Sequence, residues 1–164
     1  MNQAELSFEK KTMRKVTWRI IPFIFICYII SYIDRANLGY AALEMNADLA
    51  FSSKVFGFAS GIFFIGYFLF EVPSNVMMQR YGARIWIARI LITWGILAVM
   101  TGFIQSAVQL YILRFLLGVA EAGFFPGIIM YLTYWFRSKE QATTIGLFTA
   151  AIPVSYIIGA PLST

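Results

Sequence analysis

The most constraining feature of this chain is an apolar segment, residues 110–136, that carries two charged residues, Arg114 and Glu121. A helix of that length spans about 40 Å, which exceeds the bilayer hydrocarbon core of about 30 Å. A charge at the centre of a membrane helix costs about 3 kcal/mol even on lenient insertion scales. These two residues therefore require a polar interior between helices, and the segment predicts a bundle of membrane-spanning helices.

The two charges of this segment lie on one face of the predicted helix. Arg114 and Glu121 are seven residues apart, which is two helical turns and about 10 Å along the axis. Gly118 lies between them on that face. Because glycine has no side chain, this position leaves room for a neighbouring backbone, a ligand or water.

Small residues spaced four apart predict places where helices pack closely. The pairs are Gly118 with Ala122, Gly123 with Gly127, and Gly57 with Gly61. Pro126 cannot donate a backbone hydrogen bond, which frees a carbonyl one turn earlier and predicts a bend near the inner end of this span.

The composition excludes several classes of protein. Hydrophobic residues make up 60% of the chain and charged residues 13%, whereas a soluble domain carries about 25% charged residues. The net charge of +5 does not indicate nucleic-acid binding, because the basic residues flank apolar spans instead of forming a patch on a soluble core. With one cysteine, Cys27, and no histidine, we expect no disulfide framework, no metal site and no cofactor.

The apolar segments and the basic residues together predict a topology. A basic segment, residues 1–17, precedes five predicted spans at about residues 18–40, 55–78, 85–104, 110–136 and 143–162. Of the 13 Lys and Arg residues, nine lie on the side of the N-terminus, three lie inside spans, and Lys54 lies on the other side. Because Lys and Arg are enriched in cytoplasmic loops, we expect a cytoplasmic N-terminus.

The charges inside the predicted spans are balanced in sign. The acids are Asp34, Glu71 and Glu121, and the bases are Arg35, Arg89 and Arg114. Such a balance is typical of an interior in which charged groups face one another, because lipid-facing charges have no reason to match. Glu71 and Arg89 lie close to span ends, which favours structural or interfacial roles for both.

Three motifs carry a resemblance to a known family. They are Y-I-D-R-A-N-L-G-Y-A-A in the first span, F-E-V-P-S-N in the second, and R-F-L-L-G-V-A-E-A-G-F-F-P-G in the fourth. In this order and on these spans they resemble the anion:cation symporter family of the major facilitator superfamily. The resemblance implies an all-α integral membrane fold of two six-helix halves, of which this chain is an incomplete N-terminal half with five transmembrane helices.

The resemblance also implies roles for individual residues. Asp34 and Glu121 match the protonatable acids of the family, and Arg35 matches its contact to the substrate carboxylate. Arg114 matches the arginine coupled to the acid of the fourth span. Tyr67, at the matching depth of the second span, is expected to present a hydroxyl group to the substrate.

A looser superfamily signature, which is expected to form an inner gate, corresponds to residues 75–84. Arg80, Gly82 and Arg84 fit this signature. Asn75 replaces its first glycine and Gln79 replaces its acid, so a gate salt bridge that depends on that acid is not expected.

The function implied is proton-coupled symport of a small organic anion, such as a sugar acid or another carboxylate, across the cell membrane. The chain has no phosphate-binding loop, which favours an ion gradient over ATP, and sodium remains an alternative to the proton. An enzyme is not expected, because the chain lacks histidine, a reactive cysteine or a cluster of metal ligands. The alternative function is a transporter-like membrane sensor or assembly subunit that binds an anion without transport.

Five spans cannot enclose a cavity between two halves. We therefore expect a fragment of a chain of about 400 residues, an estimate from twelve spans of about 20 residues plus their links. Its expected partners are the missing C-terminal half of the same transporter, the lipid bilayer, the anion and the proton, with no nucleic acid.

Overall fold

The computed structural model describes the backbone of residues 3–49 and 52–162, and the side chains of residues 11–35, 52–138 and 140–158. The described backbone is helical, with no strand. Its helices are α1 (Gln3–Leu49), α2 (Ser53–Tyr81), α3 (Ala83–Thr101), α4 (Ala107–Glu121), α5 (Phe124–Trp135), α6 (Ser138–Thr149) and α7 (Ala151–Leu162). The predicted all-α fold class is confirmed.

Within the described residues, five helical segments are long and apolar enough to cross a membrane. They are Lys11–Arg35, Ser53–Tyr81, Ala83–Thr101, Ala107–Trp135 and Glu140–Ile158. The fourth segment consists of α4 and α5, and the fifth lies within α6 and α7. The chain is therefore a multi-pass membrane protein with the predicted number of spans.

The basic segment, residues 1–17, has no separate fold in the described chain. From Gln3 onward it is the first part of α1, a helix of 47 residues that continues through Pro22. The side chains of residues 36–40, with which the first predicted span ends, lie outside the described residues.

The chain divides into two compact units. One unit is Leu38–Tyr131, and the other consists of Met1–Asn37 and Leu132–Thr164. In the first unit, α4 packs mainly against α2, and α3 packs against both helices. The fourth span is the centre of this packing, since 56% of its apolar segment is buried compared with 22% or less in the other spans.

Aromatic contacts connect the helices of the second unit. The rings of Tyr28 on α1 and Phe148 on α6 are 4.3 Å apart, and the rings of Tyr32 on α1 and Tyr156 on α7 are 6.2 Å apart. Phe148 is 1% exposed, so this contact lies in the core of the unit.

Local sequence determines where α4 begins. The Ser106 hydroxyl oxygen accepts a hydrogen bond from the backbone N–H of Gln109 at 3.3 Å. The Gln109 side-chain oxygen in turn accepts one from the backbone N–H of Gln105 at 2.8 Å. This reciprocal arrangement satisfies backbone donors that a helix start leaves without partners.

Candidate functional site

The two charged residues of the fourth span are both buried on α4. Arg114 is 5% exposed and Glu121, the last residue of the helix, is 1% exposed. The helix is continuous between them, so they share one face two turns apart. The other buried residues of α4 are Leu110, Leu113, Leu117, Gly118 and Ala120. A guanidinium and a carboxyl group thus share the buried face of α4 with residues that are otherwise apolar, and burial of charge is costly.

Gly118 allows the backbone of α2 to cross this charged face. A Cβ atom at Gly118 would overlap the carbonyl oxygen of Phe63 and would lie 3.0 Å from the backbone nitrogen of Tyr67. The neighbouring backbone is therefore the occupant that the structure shows beside Gly118. Tyr67 is half-buried, and its backbone lies at the level midway between Arg114 and Glu121.

Gly66 makes the reciprocal contact from α2. A Cβ atom there would lie 2.6 Å from the carbonyl oxygen of Phe115 and 3.3 Å from the backbone nitrogen of Val119, both on α4. The predicted close-packing pair on α2, Gly57 with Gly61, makes no close contact among the described residues and stays a prediction. A Cβ atom at either position meets nothing within 4 Å, because the face that touches α4 is the one that carries Gly66.

The fourth span is interrupted just after Glu121. Ala122 leaves the helical conformation with a ψ of 132°, and Gly123 has a φ of +81°, which side chains disfavour. α5 then begins at Phe124, and Gly127 donates its N–H to the Gly123 carbonyl oxygen at 3.0 Å. Pro126 lies in the first turn of α5, where the missing N–H removes no helical hydrogen bond. The break occurs one turn before Pro126.

The second half of α2 packs against the glycines around this break. A Cβ atom at Gly123 would lie 2.6 Å from the Ser74 hydroxyl oxygen, and one at Gly127 would lie 2.5 Å from the terminal carbon of Met78. The predicted close approach at Gly123 and Gly127 is confirmed. α2 therefore packs along α4 and reaches the first turn of α5.

Asp34 and Arg35 lie on α1, in the unit that also contains α6 and α7. Both side chains are half-buried. The guanidinium carbon of Arg35 lies 5.3 Å from the centroid of the Tyr32 ring, a distance typical of a cation–π contact. Tyr32 in turn contacts Tyr156, so an aromatic pair supports the arginine.

The three residues of the predicted gate lie at the turn between α2 and α3. Gly82 has a φ of +86° and donates its N–H to the Met78 carbonyl oxygen at 2.9 Å. Arg80 and Arg84 are exposed on either side of it. A glycine is required here because the left-handed region disfavours residues with a Cβ atom.

The other two charged residues of the spans are half-buried, Glu71 on α2 and Arg89 on α3. The Glu71 carbonyl oxygen accepts a hydrogen bond from the Asn75 side-chain nitrogen at 2.9 Å. The Arg89 guanidinium carbon lies 4.2 Å from the centroid of the Trp86 ring.

Several polar residues of the interior were missed by the sequence analysis. In the unit with α1, Ser31, Thr144 and Ser155 are all buried. Ser31 could have been found, because it lies one turn before Asp34 and therefore shares its face. Neither Thr144 nor Ser155 lies one turn from a charged residue inside a predicted span, so the sequence offers no such signal for them.

The charged residues of the spans are chemically suited to anion binding and proton exchange. Glu121 is a buried acid that can hold a proton, and the arginines can bind carboxylates through paired hydrogen bonds. The described residues include no group of three His, Cys, Asp or Glu side chains placed to hold a metal ion.

Comparison with known proteins gives a consistent result. The sequence profile of the Major Facilitator Superfamily matches residues 24–164. The chain is 58% identical over 155 residues to a protein of Agrobacterium vitis named as a candidate tartrate transporter, with 94% of this chain and 34% of that protein covered. It is 52% identical over 154 residues to a candidate metabolite transport protein of Pseudomonas putida, with 94% and 35% covered.

A more distant relative is an inner membrane transport protein of Escherichia coli, 36% identical over 151 residues, with 92% of this chain and 35% of that protein covered. The chain thus spans about a third of the length of the curated relatives it matches. All three names describe transport, which confirms the prediction that the protein is not an enzyme.

Proposed function

This chain belongs to the major facilitator superfamily, and on that basis we propose that it forms the first part of a secondary transporter for a small organic anion. We propose symport with protons as the mode and the cell membrane as the location, with the N-terminus in the cytoplasm. The missing C-terminal half of the same protein completes the substrate site. A relative named for tartrate supports a carboxylate as the substrate class.

The observation that carries the proposal is the buried pair of charges on α4. A membrane helix that encloses Glu121 at 1% exposure and Arg114 at 5% exposure places a titratable acid and a fixed cation where water is scarce. The glycines at Gly66 and Gly118 bring the backbones of α2 and α4 together at the level of these charges. Because an ionisable residue inside a membrane span is costly, such residues are expected to serve a ligand or an ion.

The proposed coupling follows from competition for the arginines. An acid close to a guanidinium is stabilised in its ionised form. A substrate carboxylate that binds the same guanidinium withdraws this stabilisation, so that proton and anion favour each other's binding. In this scheme Asp34 and Glu121 carry protons, Arg35 and Arg114 bind the substrate carboxylate or respond to it, and Tyr67 contributes a hydroxyl group.

The test is uptake of tartrate by the complete natural protein in sealed vesicles. An inward proton gradient without sodium is expected to drive accumulation. Glu121→Gln and Asp34→Asn are expected to lower this uptake by about tenfold or more, the effect of losing a charged hydrogen bond of about 1.5–3 kcal/mol. Exchange of internal for external tartrate at equal pH is expected to persist, because it requires binding without net proton movement.

Glu71→Gln is the matched control, because it neutralises a half-buried acid on α2 that has no proposed role in coupling. It is expected to retain most of the gradient-driven uptake. Uptake that follows a sodium gradient alone would exclude proton coupling. Binding of tartrate without any uptake would exclude transport and favour a sensor.

A further inference from the structure

A groove of about 470 Å³ runs along the first half of α3, on the side away from its buried residues. Two arginines and a set of apolar or weakly polar residues line it: Arg84, Ile85, Ala88, Arg89, Ile92 and Thr93. In the described chain α3 buries only Ile90 and Trp94. The groove therefore lies on the face of α3 that is turned away from the buried residues of its unit, and we expect this face to meet lipid.

Arg89 is held in place on one side and offers hydrogen-bond donors on the other. Its guanidinium stacks on Trp86 at 4.2 Å, and the Trp86 ring nitrogen donates a hydrogen bond to the Ser74 hydroxyl oxygen of α2 at 3.0 Å. Stacking engages the face of the guanidinium and leaves the N–H donors at its edge. The Nε atom of Arg89 is buried and has no hydrogen-bond partner among the described residues.

The polar end of the groove carries residues that are typical of a membrane–water interface. Helix side chains tilt toward the N-terminus, so the Arg89 guanidinium reaches back to Trp86. The ring of Trp86 stacks on that of Tyr81 with centroids 5.9 Å apart. Trp and Tyr are enriched where membrane meets water, and Arg84 is exposed at the same end.

An apolar stripe continues from the arginines toward the membrane centre. Its exposed residues are Ile85, Ile92, Ile96 and Val99, each 57% or more exposed. From the first to the last they cover about 21 Å of helix. One leaflet of a hydrocarbon core of about 30 Å is about 15 Å deep. The stripe is therefore long enough to lie along one complete acyl chain.

We propose that this groove is a binding site for a phospholipid with a net negative headgroup. Arg89 and Arg84 bind the phosphate, and one acyl chain lies along Ile85 and Ile92. A guanidinium matches phosphate through paired hydrogen bonds, and basic pockets on membrane proteins attract anionic headgroups. A soluble phosphate ion shares this headgroup chemistry but leaves the apolar stripe uncovered. The site does not depend on the proposed transport.

The test is native mass spectrometry of the complete protein, equilibrated with phosphatidylglycerol and phosphatidylcholine of identical acyl chains. The protein is expected to retain phosphatidylglycerol in preference. Arg89→Gln is expected to lower the ratio of bound phosphatidylglycerol to phosphatidylcholine by about fivefold, the factor that one arginine near an anionic surface supplies. Arg80→Gln is the control, because it removes an exposed positive charge at the turn between α2 and α3 that does not line the groove, and its ratio is expected to stay unchanged.

A second variant keeps both charges and removes the space. Ala88→Trp fills the groove and is expected to reduce bound phosphatidylglycerol as strongly as Arg89→Gln. If Arg89→Gln fails to fold, the Ala88→Trp variant alone tests whether the groove binds the lipid. An equal loss in Arg80→Gln would overturn the proposal in favour of general surface charge. Complete displacement of the lipid by millimolar glycerol phosphate would overturn it in favour of a soluble anion. If the ratio of bound phosphatidylglycerol to phosphatidylcholine is unchanged in both Arg89→Gln and Ala88→Trp, the groove is excluded as the lipid-binding site.

Discussion

Gly118 and Gly66 are the residues that let two helix backbones touch in the middle of the membrane. Each would direct a Cβ atom at a backbone oxygen of the opposite helix, that of Phe63 or that of Phe115. A backbone oxygen cannot turn aside as a flexible side chain can. Any side chain at Gly118 therefore forces α2 and α4 apart, at the level where Arg114 and Glu121 are enclosed.

Gly118→Ala is expected to lower the free energy of unfolding of the complete protein by about 1–3 kcal/mol, the usual cost of overpacking. Gly61→Ala is the matched control, because a Cβ atom there meets nothing within 4 Å. Both substitutions gain the higher helix propensity of alanine, about 1 kcal/mol. The difference between their free energies of unfolding therefore measures the cost of the overlap between the new Cβ atom and α2.

The measurement is thermal unfolding of the purified protein, with a lower midpoint for Gly118→Ala and an equal or higher one for Gly61→Ala. A Gly118→Ala protein with unchanged stability but weaker tartrate binding would mean that the glycine makes room for the substrate. Equal effects of the two substitutions would contradict a specific contact at Gly118.

The sequence alone could locate the charged face but could not identify the glycines that touch α2. Arg114 and Glu121 are seven residues apart in an apolar run, so helix geometry alone puts them on one side. Gly57 and Gly61 have the spacing of a packing pair, yet Gly66 makes the contact. Which glycines make the contact depends on which face of α2 packs against α4. The sequence of either helix alone does not determine that face.

Among the helices, the break between α4 and α5 depends on Gly123 more than on Pro126. Gly123 combines a φ of +81° with a Cβ direction that points at the Ser74 hydroxyl group. Pro126 occupies the first turn of α5, where a missing N–H costs nothing. Proline is compatible with this break, and glycine is required by it.

Gly123→Ala is therefore expected to destabilise the complete protein by about 2 kcal/mol or more, since left-handed backbone alone costs a residue with a Cβ atom about 1–2 kcal/mol. Pro126→Ala is expected to change the free energy of unfolding by less than about 1 kcal/mol. Thermal unfolding of both variants in the same detergent gives the comparison.

A larger loss in Pro126→Ala than in Gly123→Ala would assign the break to proline after all. The sequence pointed to Pro126 because proline is the commonest recognisable cause of a bend. A positive φ at Gly123 has no local signature, because glycine in a membrane helix is equally compatible with an ordinary helical conformation.

For the whole molecule, the alternation of basic residues along the chain predicts which ends of the spans face the cytoplasm. Ser52 precedes α2 on the side predicted to lie outside, and Ser138 begins α6 on the side predicted to lie inside. Both side chains are exposed. Cys27, by contrast, is buried and contributes little background to thiol labelling.

Ser52→Cys in the complete protein is expected to react with a membrane-impermeant maleimide in intact cells. Ser138→Cys is expected to react only after the membrane is opened, because the positively charged segments remain in the cytoplasm. The unsubstituted protein is the control for all other thiols. The reverse pattern of labelling would overturn the proposed orientation and place the N-terminus outside.

The glycine contacts between α2 and the fourth span also restrict how this unit can deform. They occur at Phe63, at Ser74 and at Met78 of α2, which are spread over about 22 Å of helix. Because Gly118 lies against the backbone of Phe63 and Gly123 lies against the Ser74 side chain, we expect α2 and the fourth span to move together and not to pivot about a single crossing. A displacement of the fourth span near Glu121 is then expected to shift α2 and, with it, the turn at Gly82.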